Sequence, residues 1–210
     1  FILAPDGEFY FLEMNTRLQV EHPVTECVTG LDLVELQLRL AAGEPLTLTQ
    51  QAIVQRGHAF ECRICAEQPE HDFRPATGTV QRLREPRGDG VRFDGGLREG
   101  LPISAAFDSM LAKLITHGDT RAESASRMRD ALTQLVLLGV DHNTDYLSRI
   151  FAHPSFLAGE LHTGFVVEHA AALMPAALDD AQRAAVLIAA VLGTEEFRQL
   201  AYECPEPHAS

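Results

Sequence analysis

The residues best suited to chemistry lie in one short stretch, from Glu13 to Glu21. Its odd-numbered positions hold Glu, Asn, Arg, Gln and Glu, whereas its even-numbered positions hold Met, Thr, Leu and Val. Because alternate side chains of an extended chain share a face, the pattern predicts two carboxylates, two amides and one guanidinium on one surface. Carboxylate and amide oxygens are ligands that Mg²⁺ prefers, and a guanidinium binds anions.

An amphipathic strand with one face in water is the commoner cause of such alternation. Two features favour a functional site instead. None of the five odd positions holds Lys, Ser or Thr, and the stretch runs into His22 and Pro23, where we expect the strand to stop and the chain to turn. Functional groups are often placed at strand ends and in loops. We interpret His22 as a residue that fixes this local geometry.

The elements that must position this stretch begin with a β-favouring run at residues 9–12. Asp32 then has the character of an N-cap, with Glu35 as its capping-box partner. The leucine-rich run that follows, to Leu40, predicts a well-buried helix that ends before Gly43. This helix is expected to close a first structural unit, residues 1–46.

Beyond a polar connector the pattern changes to short strands separated by turns. In the first of them Cys62 and Ile64 share one face, and Glu61 and Arg63 share the other. The strands are predicted at residues 59–66, 79–84, 91–94 and 113–117.

A second helix is predicted after these strands. Thr120 caps it with Glu123, its apolar stripe runs from Ala125 to Leu138, and Gly139 stops it. Shorter helical pieces are expected at residues 144–151 and 164–169. The last part, residues 170–210, is predicted to be a helical tail or linker, with Pro175 as a break and a helix at residues 178–192.

These elements predict an α+β fold, in which residues 50–168 form a mostly antiparallel sheet with helices on one side. The 210 residues are 46% hydrophobic and 22% charged, as in ordinary soluble globular proteins. No apolar run approaches the roughly 20 residues that span a bilayer, and no export signal is apparent, so a cytoplasmic protein without a membrane partner is expected. The chain opens with Phe1 rather than Met, and we expect it to begin inside a larger protein.

The net charge and the cysteine spacing argue against a nucleic-acid-binding protein and against a zinc site. The formal net charge is −13, and no cluster of basic residues is present, so nucleic acid is not expected as a partner. Cys62 and Cys65 have the spacing of half a zinc site, but no second pair of ligands follows at zinc-finger spacing. With Cys27 and Cys204, they are expected to be reduced thiols.

The run from Gly7 to Glu26 resembles the signature E-M-N-x-R-x-Q-V-E-H of biotin carboxylases, which are ATP-grasp enzymes. Carbamoyl-phosphate synthase and related ATP-grasp enzymes share the Glu-x-Asn-x-Arg core, but they do not continue as Gln19 to His22 do here. The resemblance covers about residues 1–168 and continues through residues 57–64, 75–78, 90–92 and 107–110. It implies the end of an ATP-grasp domain followed by a biotin carboxylase C-terminal domain.

By this resemblance Glu13 and Asn15 help to hold the Mg²⁺ (or Mn²⁺) that bridges the ATP phosphates. Arg17 pairs with bicarbonate, and Gln19 and the backbone of Val20 orient it. Glu21 is the general base that takes the bicarbonate proton during attack on the γ-phosphate, which yields carboxyphosphate. The family's second Glu ligand, its glycine-rich phosphate loop and its ATP-binding lysines lie upstream of this sequence, so the chain alone is expected to be inactive.

Three further residues receive roles from the resemblance, each with a competing interpretation. Arg63 matches the arginine that steadies the biotin enolate oxygen and bicarbonate, although the pattern alone would favour a solvated arginine or an ion pair with Glu61. Arg92 matches a dimer-contact arginine, or it is a surface residue. Asp108 matches an acidic residue near the site, or it caps a turn.

The resemblance implies ATP, magnesium, bicarbonate and biotin as cofactors and substrates. No Met-Lys-Met biotin-attachment sequence is present, so biotin is expected on a separate carrier domain or subunit. A carboxyltransferase subunit and a second copy of the biotin carboxylase are the other expected partners, as in acetyl-, propionyl- or methylcrotonyl-CoA carboxylases. The alternatives are another ATP-grasp ligase, similar to carbamoyl-phosphate synthase, and a non-catalytic dimerisation module.

Overall fold

Short antiparallel strands and helices alternate along the chain in a computed structural model, which describes residues 1–174 and 178–192. The strands in these ranges are β1 (Ile2–Leu3), β2 (Phe9–Tyr10), β3 (His58–Cys65), β4 (Glu67–Gln68), β5 (Arg74–Pro75), β6 (Gly78–Thr79), β7 (Arg82–Arg84), β8 (Val91–Gly95), β9 (Pro102–Ile103), β10 (Met110–Gly118) and β11 (Val136–Leu138). The helices are α1 (His22–Thr29), α2 (Leu33–Ala41), α3 (Arg121–Gln134), α4 (Thr144–Ala152), α5 (Pro154–Ala158), α6 (Phe165–Glu168), α7 (Ala170–Leu173) and α8 (Asp180–Leu192). The mixture of helices and antiparallel sheet confirms the predicted α+β class.

A three-stranded sheet forms the centre of the fold, with β10 between β3 and β8 and both pairings antiparallel. Strand side chains alternate between the two faces, and one face of this sheet is apolar. Leu114 of β10 and Met128 of α3 are both fully buried where this face meets the helix. Burying such a side chain stabilises the fold by about 1.5–3 kcal/mol. The sheet-and-helix core is thus the main source of stability near the site.

The opposite face of the same sheet is charged. In the register of the strands, Lys113 of β10 lies between Arg63 of β3 and Asp94 of β8. In the next row, Ile115 lies between Glu61 and Arg92. We call these four charged neighbours and Lys113 the charged face. Helix α1 packs against β3 and β10 on this side of the sheet.

Helix α3 begins as the sequence predicts and ends earlier than predicted. The Thr120 hydroxyl accepts a hydrogen bond of 3.2 Å from the backbone N–H of Glu123, and the Glu123 carboxylate accepts one of 2.8 Å from Asp119. The helix ends at Gln134, because residues 136–138 pair with β7 as strand β11. Leu138, predicted on the helical stripe, is therefore exposed on a strand.

Gly139 does not stop the helix but turns the chain after β11. Its φ is +100°, which favours glycine, and a Cβ atom there would collide with the carbonyl oxygen of Thr79. The predicted strand at residues 79–84 is divided into β6, which pairs with β9, and β7, which pairs with β11. The leucines after Gln134 continue the apolar spacing of the helix. Pairing with β7 nevertheless makes residues 136–138 a strand, so tertiary contacts override the local helical pattern.

Helix α2 has the predicted cap but not the predicted burial. The Asp32 carboxylate accepts a 2.7 Å hydrogen bond from the N–H of Glu35. None of the helix residues is buried, and Leu38 is 68% exposed. The expectation of a well-buried helix is wrong for the described residues, since none of their other elements covers this apolar side. The β1–β2 hairpin also has exposed apolar side chains, including Phe9 and Tyr10.

The helices after β11 form a small second core around Tyr146, Phe165 and Leu173. The predicted helical pieces at residues 144–151 and 164–169 correspond to α4 and α6. The sequence did not indicate α5, whereas α7 begins the segment that was predicted as a helical tail or linker. Residues 1–174 form one compact unit, and the described residues 178–192 belong to a second. The latter contains α8, as predicted, while the expected break at Pro175 and residues 193–210 lie outside the described residues.

None of the helices that the structure describes is both long enough and apolar enough to cross a membrane.

Cys62 and Cys65 do not form a metal site. They lie three residues apart on β3, so their side chains point to opposite faces of the strand. Within residues 1–174 and 178–192, no group of three or more His, Cys, Asp or Glu side chains could hold a metal ion. Cys27, Cys62 and Cys65 are free thiols.

The buried thiol of Cys62 is expected to be the least reactive of these three. Burial raises the pKa of Cys62 to about 12, so almost none of the reactive thiolate is present near pH 8. Cys27 and Cys65 are only partly buried and serve as internal controls. Peptide mapping after brief treatment of the folded protein with iodoacetamide should find Cys62 unmodified, and in urea all three should react. Modification of Cys62 at the rate of Cys65 in the folded protein would contradict the packing described above.

Candidate active site

Residues 13–21 do not form the predicted extended strand within the described structure. The chain bends at Arg17, and Val20 and Glu21 form a turn that leads into α1. Glu13 and Asn15 lie side by side, and the Asn15 amide donates a 3.4 Å hydrogen bond to the Glu13 carboxylate. Their oxygens form a partial ligand set of the kind that Mg²⁺ completes with water and phosphate oxygens. Both side chains are exposed. The types of these two ligands therefore fit a magnesium ion whose remaining ligands come from other molecules.

Glu21 lies at the beginning of α1, where the sequence predicted only a strand end and a turn. His22–Thr29 is a helix with Pro23 in its first turn, and this helix was missed. Proline is favoured there because the first N–H groups of a helix have no intrahelical partner. The Nδ1–H of His22 donates to the Gln19 carbonyl at 2.8 Å, a contact that holds the turn into the helix.

The Glu21 carboxylate forms an ion pair with Arg63 of β3. The Arg63 guanidinium donates to Glu21 Oε2 at 3.1 Å, across 42 positions in the sequence. Both side chains are about half exposed, at 52% and 54%. An exposed pair of this kind contributes at most about 1 kcal/mol to stability. Its significance is that it brings a carboxylate and a guanidinium together at a surface that a small molecule can reach.

A cavity of about 290 Å³ adjoins Glu21. Three of the predicted anion-site residues, Arg17, Gln19 and Glu21, line it together with residues that the sequence did not indicate. The further lining residues are Leu18, His22, Thr25, Leu33 and Gln37. Since Leu18 lines the cavity as well, the strict odd–even division predicted for residues 13–21 does not hold. A guanidinium, an amide and a carboxylate around one cavity can hold a small oxyanion.

Lys113 holds the backbone next to Glu21, and the sequence analysis missed it. Its Nζ donates to the Val20 carbonyl at 3.1 Å and lies 3.8 Å from the carboxylate of Asp94. The lysine side chain is only 14% exposed. Its one signal in the sequence is composition: the chain has 17 Lys and Arg residues, and Lys113 is the only lysine among them.

Glu61 is a second residue that the sequence analysis did not assign to the site. Its Oε2 atom is buried and has no hydrogen-bond partner in the described structure. Burial raises the pKa of Glu61, while the nearby cations Lys113 and Arg63 oppose this effect. The carboxylate of Glu21 and the ring of His22 act on Glu61 as well. Glu61 therefore belongs electrostatically to the same cluster as the Glu21–Arg63 pair.

Arg92 joins α1 to the charged face. It donates to the nearly buried carboxylate of Glu26 at 2.7 Å and to both oxygens of Asp94 at 2.8 and 2.7 Å. Glu26 is 9% exposed and also accepts from the N–H of Leu33 at 2.9 Å. The expected dimer contact of Arg92 stays a prediction, but its guanidinium already has three hydrogen bonds within the chain.

Asp108 caps a turn. Its carboxylate accepts a 2.7 Å hydrogen bond from the N–H of Met110, and the preceding Phe107 is 96% exposed. This contact is the one that the turn-capping interpretation expects. A role of Asp108 near the site stays a prediction.

Two protein families match this chain. Residues 61–168 match the family described as the biotin carboxylase C-terminal domain, and residues 1–49 match the ATP-binding domain of the carbamoyl-phosphate synthase L chain. The class of protein is thus one in which an ATP-binding domain precedes a biotin carboxylase C-terminal domain. The chain belongs to the biotin carboxylase family.

Curated relatives are consistent with this family. A biotin carboxylase from Nostoc sp. is 49% identical over 168 residues, which cover 80% of this chain and 38% of the relative. The mitochondrial methylcrotonoyl-CoA carboxylase subunit alpha of Mus musculus is 47% identical over 176 residues, covering 83% of this chain and 24% of the relative. The chain thus spans only about a quarter to two fifths of the length of these relatives.

Solved structures have the same fold. The biotin carboxylase domain dimer of Hydrogenobacter thermophilus 2-oxoglutarate carboxylase, in complex with MgADP, ADP and bicarbonate, superposes with a TM-score of 0.80 at 40% identity. The match covers 82% of this chain and 38% of that chain. The biotin carboxylase subunit of a pyruvate carboxylase gives a TM-score of 0.81 at 41% identity, covering 83% and 39% of the two chains.

The Arg92–Glu26 pair is expected to stabilise the fold more than an exposed pair does. Arg92→Met should lower the free energy of unfolding by about 1–3 kcal/mol, because it leaves a nearly buried carboxylate with one donor fewer. Arg39 is a matched control: it also contacts two carboxylates, those of Glu35 and Glu44, but all three side chains are exposed. Arg39→Met should cost at most about 0.5 kcal/mol. Equal losses for the two variants in urea unfolding would contradict this account.

Proposed function

We propose that the chain is part of a biotin carboxylase that uses MgATP and bicarbonate to carboxylate biotin on a carrier protein through carboxyphosphate. This is the first half-reaction of an enzyme of the acyl-CoA carboxylase type. The observation that carries the proposal is the approach of Arg63 to Glu21, at 3.1 Å, beside a cavity lined by Arg17 and Gln19. Family membership and the bicarbonate complex of the similar Hydrogenobacter domain support it.

In this proposal the cavity holds bicarbonate. The Arg17 guanidinium pairs with the anion, while the Gln19 amide and the backbone of Val20 orient it for attack on the γ-phosphate of ATP. The Glu21 carboxylate accepts the bicarbonate proton as the new oxygen–phosphorus bond forms, the bond between the γ-phosphorus and ADP breaks, and ADP leaves. Such a base acts only on a substrate held within hydrogen-bond reach, and the half-exposed carboxylate of Glu21 is accessible. The carboxyphosphate then separates into CO₂ and phosphate, the phosphate takes the proton of the biotin ureido N–H, and that nitrogen bonds to CO₂.

Arg63 has two roles in the proposal. Before substrate binds, its guanidinium holds the Glu21 carboxylate. With substrates present, it binds bicarbonate together with the ureido oxygen of biotin. A guanidinium offers five donors, so it can bridge two acceptors without releasing either. The exposure of the pair supports an exchange of partners of this kind, since little stability is lost when it opens.

Glu13 and Asn15 would hold magnesium (or manganese) together with the ATP phosphates. When bound, the metal supplies neutralisation of the charge on these phosphates. The contact between the two side chains supports their use as neighbouring ligands. The biotin carrier, a carboxyltransferase and a second biotin carboxylase copy are proposed as partners of the full-length protein, and the cytoplasm as its location.

The test is the formation of ADP by the full-length protein with ATP, magnesium, bicarbonate and biotin. Glu21→Gln and Arg63→Ala should each lower the bicarbonate-dependent rate by about 10²–10⁴-fold, as expected for a lost general base or charge clamp. Arg82→Ala, in the exposed ion pair of 3.3 Å with Glu99, is the matched control and should leave the rate unchanged. Near-native rates in both site variants would remove these residues from the mechanism.

Two further arms of the same assay test the predicted inactivity of the 210-residue chain and the alternative ligase function. The 210-residue chain alone should release no phosphate, because its only lysine is Lys113 and the ATP-binding lysines of the family lie upstream. Robust turnover by this chain would refute that expectation. A ligase similar to carbamoyl-phosphate synthase, whose ATP-binding domain matches residues 1–49, would form ADP with an amine rather than biotin as acceptor.

A further inference from the structure

Lys113 is the only lysine in the 210-residue sequence. The other 16 of the 17 Lys and Arg residues are all arginines. The side chain is 14% exposed, although an ammonium group loses favourable hydration when it is buried. The Lys and Arg residues are otherwise all arginines, so a single, mostly buried lysine indicates that this position needs a compact ammonium group rather than a planar guanidinium.

The surroundings of Lys113 fix its ammonium group. Asp94, its neighbour in register on β8, lies 3.8 Å from Nζ and is itself held by two hydrogen bonds from Arg92. On the other side lies Arg63, its neighbour in register on β3. Two like charges opposite each other on neighbouring strands repel unless carboxylates offset them. Asp94, Glu61 and Glu21 supply that compensation.

The Nζ–Val20 contact determines the orientation of the peptide that leads into Glu21. The Val20 carbonyl and the Glu21 N–H belong to one planar trans peptide, so they point in opposite directions. When Lys113 holds the carbonyl at 3.1 Å, the Glu21 N–H is directed away from the ammonium group. The Glu21 side chain is held at the same time by Arg63. Two neighbouring cations thus hold the backbone and the side chain of one short segment.

We propose that Lys113 is a positioning residue for the anion site: it fixes the Val20–Glu21 peptide so that the backbone and the Glu21 carboxylate meet bicarbonate in a productive orientation. This inference rests on the proposed function. It goes beyond that function because Lys113 does not line the cavity beside Glu21 and acts through a carbonyl 93 residues earlier in the chain.

The experiment compares Lys113→Met with the parent in the full-length protein, with separate titrations of bicarbonate and ATP. Met retains the apolar stem but cannot donate to the Val20 carbonyl. The KM for bicarbonate should rise by about tenfold or more, as expected for a lost charge-assisted hydrogen bond, while the KM for ATP stays unchanged. A purely structural role would lower the active fraction, and hence kcat, without changing either KM.

Arg127→Met is the matched control, since Arg127 also donates to a backbone carbonyl of β10, that of His117, but comes from α3 on the apolar side of the sheet. It should leave the KM for bicarbonate unchanged. If Lys113→Met does not fold, Lys113→Gln carries the same test, because its amide is one atom too short to replace the ammonium group. A parental KM for bicarbonate in the folded variant would overturn the role of Lys113. Absence of bicarbonate-dependent ADP formation in the parent protein would instead overturn the proposed function and, with it, this inference.

Discussion

The row of charges across the centre of the three-stranded sheet is the constraint on which the candidate site depends. Arg63, Lys113 and Asp94 are neighbours in register on three strands. The two cations hold Glu21 and the Val20 carbonyl, and so fix the end of the segment that carries the anion-site residues. Neighbouring cations would repel each other without the carboxylates around them. The sheet and the segment before α1 are therefore electrostatically dependent on each other.

One face of this sheet contributes mainly to stability, and the other face presents the groups of the candidate site. The apolar face buries Leu114 against Met128 of α3 and stabilises the fold through area removed from water. The charged face contributes less, since pairs such as Glu21–Arg63 are half exposed and lie in water of high dielectric constant. Because the fold does not depend on that pair, the site can exchange it for contacts with substrate at small cost. This is the physical reason that one sheet can both anchor the domain and present reactive groups.

Local sequence patterns correctly predicted the structural features that depend only on residues close together in the sequence. The cap at Thr120 and the alternation of β3 are examples, because the residues concerned are neighbours in the sequence. The start of α1 was missed, since a His-Pro pair marks a strand end as readily as a first helical turn, and β11 was assigned to the helix before it. Lys113 could not be found in this way. Its partner is a backbone carbonyl 93 residues away, which leaves no trace in the side-chain pattern. The roles of residues 13–21 and Arg63 came from the family resemblance, and the structure adds their proximity.

The most direct measurement of the central claim is a crystal structure of the full-length protein soaked with bicarbonate. The account predicts one anion in the cavity beside Glu21, in contact with the Arg17 guanidinium, the Gln19 amide and the Val20 backbone, with Arg63 within hydrogen-bond distance of it. It also predicts that Lys113 remains bonded to the Val20 carbonyl. An anion bound elsewhere, with Arg63 turned into solvent and the cavity filled only by water, would contradict the account.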